Sequence, residues 1–195
     1  ALIQRGEFLT SYTPYQPEIS QGTLQMLFEF QSMVCQLTGM EVANASMYDG
    51  ATAAAEAVSM AQRLTGRSQA LLSGGLHPHY AEVIETHSTW TDPPLHIAPP
   101  DVTGREDLTA HITEQTAAVV VQYPSVFGHV IDYSALAKAA HDKGALLIVV
   151  VTEIIALGLL PAPAQFDADI VVGEGQSLGN ALSYGGPPPG LFATP

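Results

Sequence analysis

The sequence predicts an α/β fold, a mostly parallel sheet covered by helices on both faces, built as one domain. Three observations carry that expectation. Strand and helix patterns alternate from residue 70 to residue 172. The strand candidates are unbroken apolar runs, AAVVVQ at 117–122 and ALLIVVV at 145–151, which means burial on both faces. Hydrophobic residues make up 47% of the 195 positions and charged ones only 13%, roughly half the charged share of ordinary globular chains. So little charge points to a surface that is largely hidden against other protein.

Residues 1–22 form an N-terminal arm in this reading, and 23–195 the large α/β domain. The arm contains FLTSYTPYQPEISQG at 8–22, dense in aromatics, Pro and Gly; an ordered extended conformation is expected, since free linkers are not so aromatic. A helix is expected from Thr23 to Leu37, where Leu24, Leu27, Phe28, Met33, Val34 and Leu37 recur at three- and four-residue spacings, with Gly39 as its stop. A second helix, alanine-rich, spans Ala51–Leu64 and ends at Gly66. Then come strand 70–72, helix 79–87, strand 95–97, helix 106–113, strand 117–122, helix 133–143, strand 145–151 and strand 170–172.

Charge narrows the partners. The formal net charge is −13, from 19 acidic and six basic residues. Phosphate neutralisation needs clustered Lys and Arg, which argues against nucleic acid and against anionic membrane surfaces. Cys35 is a single cysteine in an apolar helical pattern, so no internal disulfide or Cys-rich zinc site is possible. No signal peptide or run of 18 apolar residues is present, and a soluble cytoplasmic protein is expected. With no initial Met and an end just past a Gly-Pro loop, the chain reads as a fragment.

Ligands in open parallel sheets bind at the carboxyl ends of the strands, and five segments fall there. MYDGAT at 47–52 sits at a helix start, where Gly50, Ala51 and Thr52 could offer backbone N–H groups to a phosphate. Asp49 competes for those donors, and capping is the plainer reading. In GGLHPHY, His77 could stack on a flat ring or be an ordinary loop histidine; a metal reading of His77 and His79 lacks a third ligand nearby. QYPSVFG at 122–128 is a strand exit. In VVTEIIALG, Glu153 could pair with a ring nitrogen or be solvated. The stretch GEGQSLG has glycines at 173, 175 and 179, which is not the dinucleotide spacing, and it follows a late strand. No G-x-S-x-G or Walker motif is present.

Taken together and in order, FLTSYTPYQPEISQG, ANASMYDGATAAAEA, HPHY, VVVQYP, GALLIVVV and ADIVVGEGQSLG followed by SYGGP resemble the P-protein of glycine decarboxylase. The match is to subunit 1 of the two-subunit form or the N-terminal half of the fused form, over nearly the whole chain. The resemblance implies the large domain of the aspartate-aminotransferase-like pyridoxal-phosphate fold, without its small C-terminal domain. It implies an oxidoreductase complex, a hetero-oligomer with subunit 2, that decarboxylates glycine and passes the aminomethyl group to the lipoyl carrier (H) protein. The cofactor is expected as a Schiff base on a lysine of subunit 2. With Gly-Gly-Pro in register, that lysine position falls here on Gln176, whose amide is no nucleophile. This chain is therefore expected to bind no pyridoxal phosphate covalently, and Asp49, Gly50, Ala51, Thr52, His77, Glu153 and Gln176 to line a vestigial pocket. Tyr12, Tyr15, Gln16 and Glu18 of the arm are expected to reach the partner's site. The rival readings are a free-standing pyridoxal-phosphate enzyme, which lacks its lysine here, and a nucleotide- or cofactor-binding α/β scaffold domain.

Overall fold

The computed structural model describes residues 4–8, 14–89 and 94–195. In chain order the described elements are α1 (Gln21–Thr38), β1 (Val42–Ala43), α2 (Gly50–Thr65), β2 (Gln69–Leu72), α3 (Pro78–Ser88), β3 (Leu95–Ile97), β4 (Thr116–Gln122), α4 (Ser134–Asp142), β5 (Leu146–Val151), β6 (Ile170–Glu174) and β7 (Gly190–Thr194). The strands form one sheet in the order β1-β7-β6-β5-β4-β2-β3. β2 to β6 pair in parallel, while β7 runs antiparallel to β6 and β1 antiparallel to β7.

The apolar runs explain why the sheet is buried on both sides. Successive side chains point to opposite faces. Val119, Val121, Leu147, Val149 and Val151 enter one core with α4 and part of α1. Ala118, Val120, Ile148, Val150, Ile170 and Val172 enter the other with α2 and α3. Alanine makes that second layer close: Ala53, Ala54, Ala55, Ala57 and Ala61 of α2 are all buried, so the helix backbone lies near the strands. No helix among the described residues is long and apolar enough to cross a membrane.

Two expectations change. Residues 106–113 are not a helix; only Thr109–His111 make a 3-10 turn. The carboxylate of Glu106 is drawn to Ser73 Oγ and Gly74 N at 2.5 and 2.6 Å, and Asp107 accepts from Thr109 N and Oγ1, a local bond that competes with helix formation. The described part of the arm is not extended either. Gly6–Phe8 and Pro17–Ile19 are 3-10 turns, Gln21 Nε2 donates to Pro17 O at 2.6 Å, and a side chain at Gly22 would collide with the Glu7 backbone. The Gly-Pro loop runs into β7; this strand and the two-residue β1 carry too little pattern to be read in advance.

Candidate functional site

The carboxyl ends of β2, β4, β5 and β6 meet the start of α2, and one buried residue ties most of them together. Gln122, the last residue of β4, is 4% exposed. Its Oε1 accepts from His77 N at 2.8 Å, beyond β2, and its Nε2 donates to Thr152 Oγ1 at 3.2 Å, beyond β5, and to Pro124 O at 3.0 Å. Its own carbonyl accepts from Tyr133 Oη at 3.3 Å. The exit of β5 is tied to the exit of β6 by Ser177 Oγ, which donates to Glu153 Oε2 at 2.9 Å.

Asp49 caps α2. Its Oδ1 accepts from Thr52 N at 2.7 Å and Thr52 Oγ1 at 2.8 Å, and Asp49 N donates to Thr52 Oγ1 at 3.2 Å, the reciprocal capping arrangement. Above the first residue of the helix, the buried Gly50 has no free space. A side chain there would collide with the Tyr80 hydroxyl and crowd Gly173 O and Glu174 Oε2 at 3.0 and 3.1 Å. Tyr80 Oη in turn donates to Glu174 Oε2 at 2.9 Å. Burial, then the charge and hydrogen bond of Glu174, then Asp49 push the Tyr80 phenol far above its ordinary pKa.

The expected site residues thus lie along one sheet edge, with individual outcomes. His77 is half-buried, and its Nδ1 accepts from His79 N at 3.2 Å, so that nitrogen is used locally. Glu153 is exposed, and its other oxygen caps the turn that follows by accepting from Ile155 N at 3.2 Å. Gln176 is half-buried at the start of the 3-10 turn Gln176–Leu178. No group of three or more metal-ligating side chains occurs among the described residues. Tyr12 lies outside the described residues, while Tyr15, Gln16 and Glu18 are exposed, Tyr15 at 87%. Sequence reasoning left Gln122 as a bare strand exit and overlooked Tyr80 and Glu174. Both of the latter stood in quoted motifs, HPHY and GEGQ, a carboxylate directly at a strand end being the missed signal.

A sheet of this order, with a helix N-terminus and a glycine-rich turn at its carboxyl edge, defines the large domain of the aspartate-aminotransferase-like fold. The fold is shared with cystathionine gamma-lyase from Lactobacillus plantarum in complex with L-serine, at TM-score 0.65 and 19% identity, over 87% of this chain and 42% of that one. The family is narrower: the model of the glycine cleavage system P-protein matches residues 1–195, and the chain belongs to that family. A crystal structure of glycine decarboxylase (P-protein) in inhibitor-bound form superposes at TM-score 0.91, with 49% identity, over 99% of this chain and 44% of that one. Among curated relatives, the probable glycine dehydrogenase (decarboxylating) subunit 1 of Methylocella silvestris is 63% identical over 193 residues, and that of Beijerinckia indica subsp. indica 61%. Each alignment covers 99% of this chain and 43% of the relative, so the chain spans less than half the length of these proteins.

Proposed function

We propose that this chain is the large-domain part of a subunit 1 of glycine dehydrogenase (decarboxylating) that lacks the Schiff-base lysine, a cytoplasmic hetero-oligomer with subunit 2. The partner would hold pyridoxal phosphate, decarboxylate glycine and hand the aminomethyl group to the lipoyl carrier protein. One observation supports the assignment of roles: Gln176, on which the resemblance puts the family's lysine, opens the 3-10 turn just past β6. The two lysines of the chain offer no substitute. Lys143 precedes β5 at the opposite end of the sheet, where it pairs with Glu114 at 2.8 Å, and Lys138 is held by Asp142 one helical turn away at 2.6 Å. The residues present do not fit a resident pyridoxal phosphate, which needs both an amine and a phosphate cradle.

In this reading the chain contributes from its arm. Tyr15, Gln16 and Glu18 are exposed on a stretch stiffened by Pro14 and Pro17, which lowers the entropy lost on docking. The assembled enzyme tests both parts. Borohydride reduction followed by mass analysis should leave every lysine of this chain unlabelled; a specific phosphopyridoxyl adduct on Lys138 or Lys143 would sink the role assignment. Tyr15→Phe and Glu18→Gln should each lower turnover roughly ten-fold, on a scale of about 1.4 kcal/mol per decade, with assembly intact. Parental turnover in both variants would make those side chains purely structural.

A further inference from the structure

The lost lysine explains why no covalent bond forms, but not why the rest of the pocket should stay empty. A helix N-terminus beside a glycine-rich turn would still attract a phosphate. Here the protein's own groups fill that place. The Asp49 carboxylate occupies the positive end of α2 and takes the Thr52 N–H at 2.7 Å. The Tyr80 hydroxyl fills the space over Gly50 and is itself anchored to Glu174 at 2.9 Å. Two carboxylates therefore converge on the first turn of the helix. No cation answers them among the described residues. Arg63 lies in the last turn of α2, and Arg67 donates to Thr116 O at 3.1 Å and Lys143 O at 2.5 Å, both at the amino ends of the strands. A phosphate placed at the start of α2 would meet like charges, a filled volume and a donor already taken.

We propose that Asp49, Tyr80 and Glu174 form an internal plug that replaces the cofactor's phosphate and locks the junction of α2, α3 and β6, so that restoring the lysine alone does not restore cofactor binding. The inference rests on reading this pocket as the vestigial counterpart of the family's cofactor site. The plug also gives the three residues a positive task. Where a cofactor would otherwise bridge helix and strand ends, Glu174 and Tyr80 bridge them permanently, which suits a subunit that supports another's chemistry.

The test uses the full-length protein assembled with its partner subunit and incubated with pyridoxal phosphate. Gln176→Lys alone should give no phosphopyridoxyl adduct at position 176 after borohydride reduction. Adding Asp49→Ser, Tyr80→Phe and Glu174→Gln should produce that adduct. Ser still caps a helix and the substitutions at 80 and 174 keep their shapes, so a cooperative melt should confirm that the combined variant is folded. An adduct at 176 in the single variant would overturn the plug. A folded combined variant without the adduct would overturn it too, because something else would then exclude the phosphate. Labelling of Lys138 or Lys143 in the parent would instead defeat the role assignment above, and the two failures are read at different positions of the same mass spectrum.

Discussion

Helices α1 and α2 are nearly equal in length and begin within thirty residues of each other, yet they are used in opposite ways. α2 buries Gly50, Ala53, Ala54, Ala55, Ala57, Val58 and Ala61 against the sheet. α1 buries only Gly22, Val34 and Thr38, and leaves Met26, Phe28 and Met33 exposed at 50%, 75% and 55%. Their starts differ as well. Asp49 makes a reciprocal cap, whereas Ser20 makes no side-chain cap bond and its buried hydroxyl has no partner among the described residues. α2 is completed by this chain; α1 carries large apolar side chains that the described residues do not cover, as expected of a segment belonging to a larger assembly.

That contrast can be broken by substitution, most forcefully in α2. Ala57→Leu inserts three carbons into a fully buried position and should cost about 1–3 kcal/mol or more in a denaturant melt; an unchanged midpoint would mean α2 is not tightly packed. Alkaline pH probes the packing on both faces of the sheet. Folding holds the Tyr80 and Tyr133 phenols above the ordinary pKa of 10.0, mainly by burial. Their contribution is fully present below pH 10 and is lost as pH rises beyond it, because the unfolded chain releases those protons first. The loss should approach about 1.4 kcal/mol per pH unit for each tyrosine, and Tyr80→Phe should make stability fall less steeply above pH 10. Asp49→Ala should cost about 1 kcal/mol as a lost cap, while Ser20→Ala should cost nothing or stabilise slightly, since it removes an unpaired buried hydroxyl. Comparably small, Phe28→Ser should change the melt by less than about 0.5 kcal/mol. If the proposed partner subunit covers α1, the effect should be seen in weaker association with it, measured by sedimentation; unimpaired association would remove α1 from that interface.

Regular segments were legible in the sequence because packing and pattern agree there. The apolar runs of β4 and β5 and the alanine face of α2 each have one good solution. Where side chains compete with the backbone, legibility ended: Glu106 and Asp107 divert a stretch of helical composition into turns. β1 and β7 are read poorly for another reason, since their pairing is decided by distant partners. Residues at the strand ends were recognisable by their place in the chain, but their partnerships were not. Glu153 turned out to serve its own turn and Ser177, and Gln122, a neutral residue with no reactive chemistry, became the hub by reaching three strand ends at once.

The antiparallel edge of the sheet has a consequence for how the chain acquires its shape. β1 at Val42–Ala43 finds its strand partner only in β7, at Ala193 and Thr194. During synthesis from the N-terminus, the parallel strands can assemble while β1 waits and β6 presents a bare row of amides and carbonyls. Contacts so distant along the chain are slow to form, because loop entropy is lost before the pairing compensates for it. β7 therefore covers the edge of β6, and a ribosome-bound chain lacking residues 190–194 should expose an edge prone to pairing with other chains.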